Sequence, residues 1–174
     1  MEEDHFVRIA GAVLVIFCSL GVAVRAEVFN SEYYRLEVTT VVNGLRSPWG
    51  LAFLPDGKMI VTERAGGIRI VTPAGKMSPR LSGMPEVYAR NQGGMLDVAV
   101  DPEFSGNNFI YFSFAEPGVR GAGTAVARAR LVVAGNRLDG VKVIFRQTPK
   151  SHGGRHFGSR LVFSRDGNLF ITLG

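Results

Sequence analysis

The chain has 174 residues, of which 46% are apolar and 20% are charged, and its formal net charge is +5. This composition is typical of a globular protein of about one domain and excludes wholesale disorder. The only cysteine, Cys18, lies in an apolar leader, so a disulfide scaffold, a cysteine-ligated metal and a cysteine nucleophile are excluded for the rest of the chain. The 22 glycines and 8 prolines favour a turn-rich all-β fold over a helical bundle.

Residues 1–26 have the pattern of a signal peptide or an N-terminal anchor. Residues 9–24 carry no charge, and this core is shorter than the ~20 residues that a membrane span needs. Val24 and Ala26 fit the −3 and −1 positions of a cleavage site after Ala26. The alternatives are an uncleaved anchor and a lipoprotein attached through Cys18, which the bulky residue before it disfavours. With cleavage or with an anchor, we expect the remainder to be exported, as a periplasmic or secreted protein.

Strand-forming sequence follows the leader. Residues 27–40 predict a single first strand, and residues 41–174 predict a domain of short strands and tight turns. Its first hairpin turns at Pro55-Asp56-Gly57, because glycine adopts a positive φ at no steric cost after aspartate. A second turn is predicted at Gly66-Gly67. The strands around these turns are predicted at 51–54, 58–62 and 68–71.

The first hairpin recurs later in the chain. Residues 161–172 repeat residues 51–62 at a constant spacing of 110, and a looser copy spans residues 96–114. Residues 124–133 add a strand that alternates basic and small residues. Recurring pairs of short apolar strands are typical of a repeat architecture and, here, of a β-propeller. A propeller closes with at least about four blades, whereas residues 41–174 suffice for two to three, so we interpret the sequence as the N-terminal portion of a longer protein.

Three segments resemble the soluble quinoprotein sugar dehydrogenases of the glucose/sorbosone dehydrogenase family. They are 47–57 (SPWGLAFLPDG), 91–99 (NQGGMLDVA) and 154–163 (GRHFGSRLVF), and they occur in the family's order. The resemblance implies a six-bladed propeller that binds pyrroloquinoline quinone and calcium and oxidises aldose sugars at C1. It also implies a small-molecule sugar as substrate and an external electron acceptor.

The same resemblance implies roles for three residues. His156 matches the family's catalytic base, and a histidine side chain, with a reference pKa of about 6.5, is basic near pH 7. Gln92 matches a substrate-binding glutamine, whose amide can both donate to and accept from a sugar hydroxyl. Arg155 is a candidate substrate-binding residue at a position where relatives carry an acidic or amide side chain. The resemblance places most ligands for the quinone and calcium in later blades, beyond residue 174, so no cofactor or metal ligand is assigned in this chain.

Other polar and aromatic residues receive simpler interpretations. We expect His152 to be a solvated loop residue and Trp49 to pack in the core rather than stack on a sugar. Asp97 and Asp101 are interpreted as turn-capping or strand-end residues rather than as an acid–base pair. Residues 120–165 contain ten Lys or Arg and one acidic residue, which indicates a solvated basic rim; the alternative is a positive field that attracts an anionic quinone, an acidic sugar or a polyanion.

The sequence alone therefore leaves two possible functions. The first is an exported quinone-dependent aldose dehydrogenase, present here as an N-terminal portion. The alternative is a non-catalytic propeller that binds glycans or proteins, since a fold does not fix a function. We expect no nucleic-acid partner, because an exported chain rarely meets one and no recognition motif or interleaving of basic with aromatic residues is present. Membrane contact is expected only through an uncleaved leader.

Overall fold

The computed structural model describes residues 26–174, and the leader predicted at 1–26 lies, apart from its last residue, outside the described part. Two compact units are separated between Thr40 and Val41. Within the described residues, no helix is long and apolar enough to cross a membrane.

The first unit contains a β-hairpin. Strands β1 (Glu27–Asn30) and β2 (Arg35–Val38) are antiparallel, with Phe29 opposite Leu36. The turn is closed by the backbone N–H of Ser31, which donates to the carbonyl of Tyr34 at 2.8 Å. The prediction of a single strand over 27–40 is therefore wrong, because the polar residues between its two apolar stretches form a turn.

The second unit begins with a three-stranded antiparallel sheet, here called sheet 1. Its strands are β3 (Pro48–Phe53), β4 (Met59–Glu63) and β5 (Gly67–Val71), in that order across the sheet. The turn between β3 and β4 has Gly57 at φ 81°, with its N–H donating to the carbonyl of Leu54 at 2.9 Å. Both predicted turns and all three predicted strands are confirmed.

Sheet 2 has four antiparallel strands in chain order. They are β6 (Met95–Val100), β7 (Phe109–Gly118), β8 (Gly121–Val132) and β9 (Arg137–Arg146), with one helical turn, α1 (Phe104–Asn107), between β6 and β7. The alternation predicted for 124–133 is confirmed: Ala127 and Ala129 are buried, whereas the Arg128 guanidinium lies over the Phe109 ring, 4.3 Å from its centroid.

Sheet 3 consists, in the described residues, of β10 (Leu161–Phe163) and β11 (Leu169–Ile171). The main core lies between sheets 1 and 2 and includes the fully buried Ile60 and Phe112. Sheet 3 packs on the other side of sheet 2, where the rings of Tyr111 and Phe163 meet edge-on with their centroids 5.1 Å apart. Antiparallel sheets stacked in sequence order in this way are typical of propeller blades.

Buried hydroxyl groups join each sheet to the next one near the first strands. The Thr62 hydroxyl of sheet 1 donates to the carbonyl of Leu96 in β6 at 2.6 Å. The Ser113 hydroxyl of sheet 2 donates to the carbonyl of Ser159, just before β10, at 2.8 Å. Because buried carbonyl groups need partners, these bonds fix how far one first strand lies from the next.

Candidate functional site

A pocket of about 400 Å³ lies where the beginnings of β3, β6 and β10 approach each other. It combines aromatic and aliphatic surface with a few polar groups, which is the composition of small-molecule sites. The lining residues are Trp49, Arg64, Asn91, Gln92, Leu96, His156, Phe157, Gly158 and Ser159.

The pocket brings together two of the three residues that the sequence singled out. The backbone N–H of His156 donates to the side-chain oxygen Oε1 of Gln92 at 2.8 Å. The backbone N–H of Gln92 in turn donates to the carbonyl of Gly154 at 3.1 Å. His156 has φ 58°, a left-handed conformation uncommon for a non-glycine residue, and these two bonds help to hold it. The imidazole is exposed and can accept a proton from a bound hydroxyl group.

Close backbone packing explains the glycine before this segment. A Cβ atom on Gly154, at φ 61°, would lie 2.9 Å from a ring carbon of Tyr88 and 3.2 Å from Nδ2 of Asn91. Nδ2 of Asn91 also donates to the carbonyl of Gly153 at 3.1 Å. Only glycine fits there without displacing the loop that carries Gln92.

The residues after His156 are held by sheet 2 and by the chain terminus. The carbonyl of the buried Phe157 accepts the hydroxyl of Thr124 in β8. Gly158, at φ 61°, approaches the backbone of Leu173 so closely that a Cβ atom would lie 2.6 Å from its carbonyl carbon. The pocket wall formed by 156–159 is therefore built from main-chain contacts rather than from side chains alone.

Arg155 differs from the other two predicted residues. Its side chain is exposed, and it is not among the residues that line the pocket. His152 is exposed as expected. Within residues 26–174, no hydrogen bond joins the Arg155 side chain to His156 or Gln92.

Trp49 does not lie in the core, so the prediction that it packs there is wrong. Its side chain is 56% exposed and borders the same pocket as His156. Trp49 shares the exposed face of β3 with Leu51 and Phe53, whereas Gly50 on the opposite face is buried against β6, and sequence alone does not show which face of the strand is covered.

The two aspartates have different structural roles. Asp97 is buried, and its carboxylate accepts the Arg160 guanidinium at 3.1 Å and the Leu161 backbone N–H at 2.8 Å. It therefore anchors sheet 3 to sheet 2 and is not the turn cap or solvated strand end that the sequence predicted. Asp101 does cap a turn, by accepting the backbone N–H of Glu103 at 2.8 Å. Burial opposes ionisation of Asp101, but hydrogen bonds from Asn107, Glu103 and Tyr111 hold its pKa below the usual value.

Acidic side chains form ion pairs with some of the basic residues at 120–165. Glu116, from β7, receives Arg146 at 2.9 Å and Lys150 at 2.6 Å, and Arg137 pairs with Asp139 at 2.8 Å. Burial opposes ionisation of Glu116, yet these hydrogen bonds and charges hold its pKa below the usual value. With Arg160, which pairs with Asp97, four of the ten basic residues are paired, which favours the interpretation as a solvated rim.

The described residues do not supply what pyrroloquinoline quinone and calcium need from a binding site. In residues 26–174 no three His, Cys, Asp or Glu side chains lie close enough to hold a metal ion. The pocket contains a single guanidinium, that of Arg64, and its Nη1 atom already donates to the carbonyl of Asn91. These residues fit a neutral polyhydroxylated ligand better than the quinone's carboxylates or calcium.

Stacked antiparallel sheets with a pocket at the beginnings of their first strands define the class of β-propeller proteins. The chain belongs to the Glucose / Sorbosone dehydrogenase family, whose sequence profile matches residues 45–174. Both the predicted all-β propeller and the resemblance to this family are confirmed.

Individual relatives agree with this assignment. The aldose sugar dehydrogenase YliI of Escherichia coli is 43% identical over 141 residues, which are 80% of this chain and 38% of that protein. The solved PQQ-bound aldose sugar dehydrogenase of Streptomyces coelicolor superposes with a TM-score of 0.69 at 28% identity, covering 86% of this chain and 42% of that one. The human Hedgehog-interacting protein is 29% identical over 153 residues, covering 79% of this chain and 22% of that protein. The chain thus spans about two-fifths or less of the length of these relatives.

Sequence reasoning misses four pocket residues to which the structure gives a place. Trp49 is predicted in the core, and Arg64, Asn91 and Ser159 receive no individual role. Asn91 is next to Gln92 and, at φ 51°, adopts the left-handed conformation that asparagine tolerates in turns. The signal available was therefore the sequence Asn91-Gln92-Gly93-Gly94 itself, a tight turn that directs two consecutive amide side chains to one place.

Proposed function

We propose that this chain supplies the sugar pocket and the catalytic base of an aldose dehydrogenase that oxidises its substrate at C1. The observation that carries the proposal is the hydrogen bond between His156 and Gln92 within one exposed pocket. The two residues are 64 positions apart in the sequence, and folding brings them to the same wall. Membership of a sugar dehydrogenase family supports the substrate class.

In this proposal, the imidazole of His156 takes the proton of the C1 hydroxyl. Since Oε1 of Gln92 accepts the backbone of His156, its Nε2 group is the part that faces a ligand, as a donor to a sugar oxygen. Ser159 and Asn91 offer further hydroxyl and amide groups at the pocket wall. When bound, pyrroloquinoline quinone would supply the hydride acceptor, and an external acceptor would then take the electrons.

The remaining parts of the proposal concern the whole protein. We assign quinone and calcium binding to residues other than those of this pocket, because its single guanidinium is already engaged and no metal cluster is found in residues 26–174. We also propose export to the periplasm or the medium, on the basis of the uncharged core at 9–24. Mass spectrometry should find Glu27 at the N-terminus of the exported product, whereas an intact Met1 on a membrane-bound product would favour the anchor.

The test is His156→Ala in the full-length, quinone-reconstituted protein. Loss of a general base lowers the rate by about 10²- to 10⁴-fold. The measurement is aldose-dependent dye reduction, with His152→Ala as the matched control, because His152 is an exposed histidine outside the pocket lining. Equal turnover of wild type and His156→Ala would sink the assignment of the base.

A second candidate function is a non-catalytic propeller that binds glycans or proteins. The observation in its favour is the 29% identity to the human Hedgehog-interacting protein, whose name describes a protein partner. Under this alternative, the reconstituted wild type and His156→Ala both lack dye reduction, while binding of a glycan or protein is retained by both.

A further inference from the structure

An exposed indole forms one wall of the pocket. Trp49 is the only tryptophan in the chain, and its side chain is 56% exposed although it belongs to a strand that packs on sheet 2. Leu51 and Phe53 share this exposed face of β3, and what distinguishes Trp49 from them is its place in the pocket wall with His156 and Gln92.

The direction of side chains along β3 places the ring at the pocket. Gly50, the residue after Trp49, is buried so closely against β6 that a Cβ atom would lie 2.9 Å from the carbonyl oxygen of Leu96. The strand can approach β6 this closely only with glycine at 50. Because side chains alternate along a strand, Trp49 lies on the opposite, exposed face of β3, where it borders the pocket.

The indole also borders a second cavity. That cavity, of about 360 Å³, is lined by Trp49 together with Pro48, Asp97, Gly158, Ser159 and Arg160. The two cavities therefore share Trp49, Gly158 and Ser159, and the ring extends along both. The other aromatic residue of the pocket, Phe157, is only 5% exposed, so Trp49 offers far more aromatic surface to a ligand.

We propose that the indole of Trp49 is the stacking surface for the C–H face of the aldose ring, while His156 and Gln92 contact its hydroxyl groups. A pyranose has one ring face made largely of C–H groups, and covering that face with an aromatic ring removes apolar surface from water. Polar groups on one wall and an aromatic surface on another orient such a ring in a single way. This inference rests on the proposed function and adds a positioning residue to it.

The first test uses saturation-transfer NMR with D-glucose and the 174-residue chain. Irradiation of aromatic protons is expected to saturate the glucose ring protons, and Trp49→Leu should reduce this transfer at least threefold. Trp49→Phe should retain part of it. Phe53→Leu is the matched control, because Phe53 is an aromatic residue of the same strand, is 67% exposed and is outside the pocket lining. Irradiation of methyl protons reports binding through Leu96 independently of Trp49.

Each outcome separates the inference from the proposed function. Unchanged aromatic transfer in Trp49→Leu, with glucose still bound, overturns the stacking role and leaves the sugar pocket standing. Absence of transfer at both frequencies in the wild type contradicts the sugar pocket and the inference together. If, in the full-length protein, Trp49→Leu keeps glucose transfer but abolishes binding of pyrroloquinoline quinone, the indole contacts the quinone and the inference is wrong.

A second readout uses the emission of Trp49, which no other tryptophan obscures. D-glucose should shift this emission saturably to shorter wavelength, whereas open-chain sorbitol at equal concentration should not. In the full-length enzyme, Trp49→Leu should raise KM about tenfold and change kcat less than about threefold, because stacking stabilises bound substrate and transition state alike. A loss confined to kcat would contradict a role in sugar binding.

Discussion

The side-chain carbonyl of Gln92 accepts the backbone N–H of His156 at a distance of 2.8 Å. A backbone N–H can only donate, so this bond fixes the orientation of the amide and leaves Nε2 as its donor toward the pocket. Gln92 therefore positions the segment that carries the proposed base, in addition to any contact with a sugar. The sequence predicted that the Gln92 amide would both donate to and accept from the substrate. Because Oε1 already accepts the His156 N–H, we expect it to contact the substrate through Nε2, as a donor.

Two substitutions of Gln92 separate these roles. Gln92→Glu keeps an acceptor for the N–H of His156 and loses the Nε2 donor, whereas Gln92→Met loses both. We expect amide hydrogen exchange of His156 to be at least about tenfold faster in Gln92→Met and near the wild-type rate in Gln92→Glu. The measurement is exchange by NMR on the labelled chain. Equal protection in the wild type and Gln92→Met would contradict the positioning role.

Gly153 and Gly154 are adjacent, and only Gly154 packs closely against the loop that carries Gln92, so substitutions at the two positions can be compared. A Cβ atom on Gly154 would meet Tyr88 and Asn91, whereas one on Gly153, at φ 89°, would meet nothing within 4 Å. Gly153→Ala should cost only the roughly 1–2 kcal/mol of a left-handed conformation. Gly154→Ala should cost at least about 1 kcal/mol more and weaken sugar binding, because Tyr88 and the loop before Gln92 must move. Denaturant unfolding measures the free energy of unfolding of both variants. Equal destabilisation by the two substitutions would show that Tyr88 and the loop move without a penalty, and would contradict this prediction.

Thr62 and Thr172 occupy equivalent positions in the repeat. Each hydroxyl accepts a backbone N–H, from Gly50 at 2.8 Å and from Arg160 at 2.9 Å. Only Thr62, which is fully buried, also donates across to the next sheet. Thr62→Val should therefore lower the free energy of unfolding by about 1–3 kcal/mol, and Thr172→Val by less than about 1 kcal/mol. Urea unfolding measures both effects. A larger loss of stability in Thr172→Val than in Thr62→Val would contradict the stabilising role of the bond from Thr62 to the next sheet.

A buried carboxylate predicts a dependence of stability on pH. Glu63 is fully buried, pairs with Arg80 at 2.7 Å and Arg69 at 3.1 Å, and accepts the N–H of Arg46 at 2.9 Å. Burial opposes ionisation, but the bonds from Arg46, Arg80 and Arg69 prevail and hold the pKa of Glu63 below its usual value. A lowered folded-state pKa contributes stability above the unfolded-state pKa of about 4.3, which is lost as pH falls through the folded-state pKa.

Glu63→Gln tests this contribution. The variant should unfold about 2 kcal/mol more easily at pH 7, less than the ~3–5 kcal/mol of a fully buried pair, because Arg80 is partly exposed and can be solvated. The difference from wild type should shrink as pH falls below about 4. Urea unfolding at several pH values measures both effects, and a constant difference down to pH 2 would contradict the assignment.

Two apolar faces of the second unit are uncovered in the described residues. Leu51 and Phe53 are 51% and 67% exposed on sheet 1, and Val162 and Phe170 are 52% and 62% exposed on sheet 3. By the 110-residue repeat, Phe170 corresponds to Ile60, which is fully buried against sheet 2.

We therefore expect residues 27–174 alone to self-associate, to bind no quinone and to be inactive. Val162→Lys with Phe170→Lys should raise the monomer fraction in analytical ultracentrifugation, compared with Arg165→Lys as a neutral surface control. Calorimetric titration with quinone and calcium accompanies the measurement. A soluble monomer that binds quinone tightly and oxidises sugar would refute this expectation.

The all-β architecture, the turns and the repeat can be predicted from the sequence. Local signals suffice for these features: Asp56-Gly57 and Asp166-Gly167 specify tight turns through glycine's positive φ, and strands of β-branched and aromatic residues flank them. The family motifs also directed attention to Gln92 and His156. The prediction of a single strand at 27–40 is wrong, because the four-residue turn at 31–34 contains no glycine and is therefore a weaker sequence signal than a glycine turn.

The contacts that these residues make with one another depend on the packing of the sheets. The close approach of Gly50 to Leu96 leaves Trp49 on the opposite face of β3, at the pocket rather than in the core. Asp97 anchors Leu161 across 64 sequence positions, and Glu116 compensates basic residues about 30 positions away. Such pairings depend on which strands lie side by side, and a linear sequence does not record distances between residues that are remote along the chain.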